Sequence, residues 1–537
     1  MTVMDCGPSS GLSCRAARSV MKEMRQPMAV QPPSRADLQT IAESFHLHFD
    51  AADLETMESL IVGALASYDV VDALAERDRQ TAPERAHRTP PAADNPLNAW
   101  YVTCDVAGQA TGPLAGKRVA VKDNIMVAGV PMMNGSRSLE GFVPVEDASV
   151  VTRVLVAGAT VAGKAVCEDL CFSGGSHTSA NGPVLNPWDT TRSTGGSSSG
   201  PAALVASGVV DMAIGGDQGG SVRMPASWCG IVGLKATHGL VPYTGGFPIE
   251  ATLDHLGPMT RTVRDAALLL TAIAGPDGQD PRQAWAPAGI DYTRGLDDGV
   301  RGKRVGMLRE GFALAGLSEP EVDDAVRRAA QRFTELGAEV VEVSVPEHAD
   351  AVHVWSVIAT DGATWQMLRG NGYGYGYRGR YSPELMEHYA GGLEKNFDAV
   401  SRTVQFVALC GQYMLDQYHG THYAKAQNLS LRIRAAYDAA LQDVDVLVLP
   451  TQPMRATTLP PADAPIDEYV ARALEMIGNT APFDVTGHPA ISVPAEVADS
   501  RPVGMMIVGR HWDESTVLTF ASSYESLVGG FPAPPAA

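Results

Sequence analysis

Basic residues are what this chain is short of: 41 Lys and Arg stand against 61 Asp and Glu, a formal net charge of −20. So acidic a surface attracts neither nucleic acid nor an anionic membrane, and both are excluded as expected partners. Cysteine is scarce as well. The seven (Cys6, Cys14, Cys104, Cys167, Cys171, Cys229 and Cys410) are odd in number and fall at no paired spacing. They read as reduced thiols in a cytoplasmic compartment, not as a disulfide framework. No apolar run approaches a membrane span, and the first residues lack the apolar core of a signal peptide. What is present is ordinary: 45% hydrophobic and 19% charged residues in a chain of 537. At about 150 residues per domain that allows three or four units, or one large domain with additions.

Apolar residues at i, i+3, i+4 spacing (Leu38, Ile41, Ala42 and Phe45, then Leu54, Met57, Leu60, Ile61 and Leu65) predict helices from Ser34 to about Arg79. Ser34 with Asp37 resembles a capping box. Residues 1–33, with Met21, Met24 and Met28 before the first helical pattern, are expected to be a disordered tail. A charged, Pro-rich stretch from Arg79 to Pro96 marks a boundary. Strand and helix patterns then alternate. Strands are expected at 117–121, 160–162, 211–214, 304–308, 339–343, 444–449 and 503–507. Helices are expected at 148–157, 202–206, 262–273 and 319–336. The alternation implies an α/β fold, a mixed and largely parallel sheet with helices on both faces. Between 347 and 428 strand signals vanish, which reads as a helical insertion able to cover a pocket. The expected division is a helical N-terminal domain at 34–90, the α/β core at 91–346 and 429–530, and the insertion at 347–428.

Three short stretches carry the chemistry. Gly195-Gly196-Ser197-Ser198-Ser199-Gly200 runs into Pro201-Ala202-Ala203-Leu204, a turn that exposes hydroxyls at the start of a helix. On composition alone a flexible linker fits this run equally well. Gly215-Gly216-Asp217-Gln218-Gly219-Gly220-Ser221-Val222-Arg223 follows a short strand. Its N–H groups from Gln218 to Ser221 are able to converge on one point, as an oxyanion hole requires. A structural turn is the plainer alternative. Lys122 ends the strand Val119-Ala120-Val121; lysines at strand ends are usually solvated, but burial here would favour the uncharged amine, which acts as a base.

Together these pieces resemble the amidase signature family, through VAVKDNI around Lys122, GGSS at 195–198 and GGDQGGSVRMPASWCGIVGLK at 215–235. The resemblance is closer still to the Rhodococcus-type enantioselective amidases associated with nitrile metabolism. It rests there on GVPMMNGSR (129–137), AVCEDLCFSG (165–174), GLVPYTG (239–245), TLDHLGPMTRTVRDAA (252–267) and NTAPFDVTGHP (479–489), and it covers about residues 36–525. It implies a Ser–cisSer–Lys triad, with Ser221 as nucleophile, Ser197 as the bridging serine on a cis peptide and Lys122 as base. Gln218, Gly219 and Gly220, with Ser221, match the oxyanion hole, and Asp217, Arg223 and Ser198 match supporting positions. The implied enzyme is an amidase that forms an acyl-enzyme from a small carboxamide and needs no metal or other cofactor. The alternative is a carbamate (urethane) or aryl-acylamide hydrolase using the same triad, and the subgroup implies a homodimer. The family usually reads GGSSGGSAA; Ser199 and Pro201 depart from it, Pro201 being tolerable in a first helical turn.

Other chemistries compete for the same residues. Gly196–Gly200 also reads as G-x-S-x-G, which would make Ser198 a nucleophile with His488 or His511, but 186–194 is polar and Pro-containing where a strand is needed. A Glu–Lys–Cys set would use Cys229 with Glu168. His419 with His422, and Cys167 with Cys171, are spaced to share a helix face, but without a second half at zinc-like spacing. Trp365, Tyr373, Tyr375 and Tyr377 are candidates to contact an aromatic acyl group.

Overall fold

The computed structural model describes residues 30–499 and 501–535; most of the tail expected at 1–33 lies outside them. Contacts divide the chain into two units, one ending at Thr81 and the other beginning at Ala82. In the first, helices Arg35–Ser44 and Ala51–Arg77 are each capped by the side chain ahead of them. Ser34 and Asp37 form the full reciprocal capping box, and Asp50 accepts from the N–H groups of Ala52 and Asp53.

The second unit is built on one sheet of twelve strands. In chain order they are β1 His87–Arg88, β2 Trp100–Ala107, β3 Arg118–Lys122 and β4 Thr160–Ala165. Next come β5 Met212–Asp217, β6 Val232–Lys235, β7 His255–Thr260 and β8 Arg304–Leu308. The last four are β9 Glu339–Val343, β10 Val446–Pro450, β11 Ala490–Ala498 and β12 Arg501–Val508. Across the sheet the order is β1-β2-β4-β3-β5-β7-β6-β11-β12-β10-β8-β9.

The α/β class and the mixed sheet are as expected from the alternation. The balance of directions is not: β3–β4, β3–β5, β8–β9 and β8–β10 are parallel, and the other seven neighbouring pairs are antiparallel. Six of those seven pairs involve β2, β6, β7 or β11, which lie outside the expected strands. β7 contains Gly257 and Pro258 in the middle of the sheet, opposite Gly215 and Ile214, where proline ordinarily argues against a strand.

The charged stretch after Arg79 belongs partly to the body. β1 pairs with Thr103 and Cys104, and Arg85 grips Asp147 with two hydrogen bonds of 2.5 and 2.8 Å. Between β9 and β10 the described residues form helices His348–Ala363, Pro383–Asn396, Arg402–Tyr418 and Thr421–Asp443, with a π-helical turn at Thr364–Arg369. The last helix runs through position 428 and stops only where β10 begins. Among the described residues no helix is long and apolar enough to cross a membrane.

Candidate active site

Lys122 ends β3 and is fully buried behind Val119, Ala120 and Val121. β5 lies beside β3 in parallel, Val121 opposite Ile214, so the loops leaving both strands emerge at the same carboxyl edge, the usual place for a site in an α/β sheet. The Lys122 Nζ lies 2.8 Å from Ser197 Oγ and 3.2 Å from the carbonyl of Gly216. Among the described residues no carboxylate pairs with it: the adjacent Asp123 is held by Lys164 at 2.9 Å and by the N–H groups of Met133 and Asn134.

Ser197 follows a cis peptide bond from Gly196. The buried Ser198 both donates to the Gly216 carbonyl and accepts from the Gly216 N–H, at 3.1 and 3.2 Å. This clamps the serine turn onto the end of β5 and leaves that hydroxyl no freedom to act as a nucleophile. The segment ahead of it is the second strand of a small separate ribbon, Asp189–Ser193, not a strand of the main sheet. The helix begins at Ser199, earlier than its alanines suggest, with Pro201 in its first turn. Ser199 Oγ donates to Glu168 Oε1 at 2.8 Å, while Thr178 supplies an N–H and a hydroxyl to Oε2 at 2.7 and 2.8 Å. The unusual serine thus satisfies a buried carboxyl. Burial pushes Glu168 up to about 7 against these hydrogen bonds.

The loop after β5 is locked from outside. Trp355 donates its indole N–H to the Gln218 carbonyl at 2.7 Å, Thr480 its hydroxyl to the Gly219 carbonyl at 2.6 Å, and Met224 its N–H to the Gly220 carbonyl at 2.6 Å. Since C=O and N–H of one peptide point oppositely, pinning these oxygens fixes the N–H groups of Gly219, Gly220 and Ser221. Gly220 departs from the expected oxyanion set, because its N–H is taken by Asp217 Oδ1 at 2.7 Å. The N–H groups of Gln218, Gly219 and Ser221 are left uncommitted within the loop. A side chain at Gly219 would bring its Cβ within 2.7 Å of the Trp355 ring.

Asp217 also accepts from Val222 N–H and from Arg223 Nε, both at 3.0 Å, and Arg223 reaches Asp484 at 2.6 Å and the Thr480 carbonyl at 2.9 Å. All three charged groups are fully buried. Burial pushes Asp217 up, but Arg223 holds it well below the usual carboxylate range. Asp484 goes the other way, raised by burial and by Asp217. Together the three side chains hold the loop.

Ser221 lines a narrow pocket of about 30 Å³ with Cys171, Phe172, Gln218, Met224 and Trp355, and its hydroxyl makes no hydrogen bond among the described residues. The four aromatic candidates do not line it. Trp365 borders an outer cavity of about 730 Å³, Tyr373 and Tyr377 flank a separate small pocket, and Tyr375 is exposed. The aromatic wall comes from Trp355 and Phe172, for which local sequence offered no signal. Both also border an apolar cavity of about 890 Å³.

The other spacings dissolve in three dimensions. His419 caps one helix and His422 belongs to the next. Cys167 and Cys171 share no helix; both donate to the Asn134 side-chain oxygen, at 3.4 and 3.2 Å. Burial pushes the Cys229 thiol up, and Glu168 is engaged by Ser199 and Thr178, so no Glu–Lys–Cys set is assembled.

With this geometry in place, the sequence pattern that defines the Amidase family matches residues 89–518. The chain belongs to the Amidase family and is an amide-hydrolysing enzyme. It is 50% identical to an enantioselective amidase of Rhodococcus rhodochrous over 95% of this chain and 98% of that protein. Solved structures similar to it include a subunit of the glutamyl-tRNA(Gln) amidotransferase of Thermotoga maritima, at TM-score 0.68, 30% identity and coverage of 82% of this chain and 92% of that one. A peptide amidase in complex with the competitive inhibitor chymostatin matches at TM-score 0.63 and 30% identity, over 79% of this chain and 85% of the other.

Proposed function

We propose that this chain hydrolyses a small carboxamide through an acyl-enzyme on Ser221, with Ser197 as proton bridge and Lys122 as base. The observation that carries the reading is the buried amine of Lys122 at 2.8 Å from the Ser197 hydroxyl, beneath a pocket onto which Ser221 opens. As substrate fills the pocket, Ser221 hydrogen-bonds to Ser197. Its proton passes to Ser197 while the Ser197 proton passes to the Lys122 amine acting as base, and Ser221 Oγ bonds to the amide carbon. The oxyanion is held by the N–H groups of Gly219 and Ser221, joined by Gln218; one such donor is typically worth about 3–4 kcal/mol. Ser197 then protonates the departing nitrogen, taking a proton back from Lys122, and the C–N bond breaks. Water cleaves the ester by the same relay and releases the carboxylate.

The helix His348–Ala363, between β9 and β10, brings Trp355 and Ala359 to the wall of this pocket, and the apolar cavity behind Trp355 and Phe172 suits an aryl or branched acyl group. A panel of amides, anilides and carbamates, with Ser221→Ala as blank, tests the assignment. Aryl-substituted carboxamides releasing ammonia are expected to be the best substrates. Preference for carbamates or anilides would replace the substrate class, and full turnover by the blank would remove the triad.

A homodimer through the first unit is the assembly that fits. The helix Ala51–Arg77 buries none of its residues and leaves Leu60, Val70, Val71 and Leu74 more than half exposed. Light scattering on the full chain is expected to give twice the chain mass, and a monomer would refute the assignment.

A further inference from the structure

We infer that Asp438, His488 and His511 form a structural site for a divalent transition-metal ion of the zinc class, apart from the hydrolytic pocket. The three residues come from separate places: the helix Thr421–Asp443, the turn before β11 and the turn after β12. Their ligand atoms all lie within 4.8 Å of one another. His488 Nε2 is 3.1 Å, and His511 Nδ1 3.5 Å, from the same oxygen, Asp438 Oδ1. Tetrahedral ligands at about 2.05 Å from Zn²⁺ stand about 3.3 Å apart, between those two separations.

The outer hydrogen bonds of the two rings orient them toward Asp438. His511 Nε2 lies 2.9 Å from the Thr486 carbonyl, so it donates there and its Nδ1 presents a lone pair. His488 Nδ1 lies 2.9 Å from the Thr486 hydroxyl, which accepts from it once Nε2, now 3.1 Å from Asp438 Oδ1, takes the metal in place of a proton. Outward N–H donation to a carbonyl and a hydroxyl is also how metal-bound histidines are held in orientation. Arg434 stands 3.8 Å from the other Asp438 oxygen, Oδ2, leaving Oδ1 to the site. Asp438 is 47% exposed on its side chain while His488 is fully buried, so solvent reaches the fourth position. Two imidazoles, one carboxylate and water suit Zn²⁺ or Co²⁺ better than Mg²⁺ or Ca²⁺.

The full-length protein, stripped with a chelator and titrated with Zn²⁺ alone, tests the assignment. One equivalent is expected to bind per chain and to raise Tm by roughly 2 °C or more, with Co²⁺ giving a d–d absorption band at the same stoichiometry. Asp438→Asn and His511→Gln are expected to lose the bound equivalent, the Tm shift and the band, and to keep wild-type amidase turnover. Absence of stoichiometric binding, or binding unchanged in both variants, would overturn the site.

Discussion

The indole N–H of Trp355 meets the Gln218 carbonyl at 2.7 Å, and through that one bond a helix far along the chain sets the direction of the Gly219 N–H. Trp355→Phe keeps the aromatic wall and removes the bond. We expect kcat to fall about 10-fold, equivalent to about 1.4 kcal/mol, with KM changed less than about 2-fold because ground-state contacts persist. Steady-state kinetics on one good amide decide it; a change in KM alone would mean that Trp355 only shapes the pocket.

Lys122→Met keeps the buried stem and removes the amine, so folding should survive while turnover drops by ~10³-fold or more, and Ser221→Ala should drop at least as far. Thermal melts that match wild type, together with rates at background, are the expected pair of results. A sulfonyl fluoride should label Ser221 in wild type, and peptide mapping that finds the label on Ser198 instead would displace the assignment.

Glu168 is a carboxyl whose proton is held more tightly folded than unfolded, raised from 4.5 to about 7. Its contribution to stability is therefore complete below about pH 4.5 and is lost as pH rises through about 7. Glu168→Gln mimics the protonated form, accepting from Thr178 and donating to Ser199. The variant should match wild type at pH 4.5 and melt a few degrees higher at pH 8. Parallel melting curves across that range would show that Glu168 is ionised throughout.

Asp217 and Asp484 flank Arg223 with opposite tendencies, the first held low by the guanidinium and the second raised by burial, so their amide variants should differ. Asp217→Asn removes a counter-charge from the guanidinium and, with one oxygen in place of two, cannot accept from both the Gly220 and Val222 N–H groups. A loss of about 3–5 kcal/mol is expected in urea unfolding. Asp484→Asn keeps an oxygen to accept from Arg223 and replaces a carboxyl raised by burial, so it should cost less than about 1.5 kcal/mol. Equal losses would contradict the asymmetry.

The family motifs singled out Lys122, Ser197 and Ser221 in the sequence; by composition alone a linker, a turn and a solvated lysine fit the same stretches. The α/β class was legible from pattern alone, since the parallel crossovers announce themselves as alternating strand and helix. What escaped has no local signature. β7 hides its strand behind Gly257 and Pro258, and Trp355, Phe172 and Thr480 reach the loop from distant segments as residues that look like ordinary packing. The commitment of the Gly220 N–H to Asp217 escaped as well, because a run of glycines shows how many donors exist and not where each one points. Tyr373, Tyr375 and Tyr377 misled because richness in aromatics says nothing about which cavity a loop borders.

The side-by-side register of β3 and β5 has a practical consequence. The Lys122 amine and the Ser221 loop are mounted on adjoining strands, whereas Trp355 and Ala359 of the pocket wall come from the helix His348–Ala363, inserted between β9 and β10. Redesign of Ala359, or of the apolar positions lining the outer cavities, therefore retunes which molecules enter while the reacting groups stay at their spacing. Changes to strand pairing would disable the enzyme for every substrate at once.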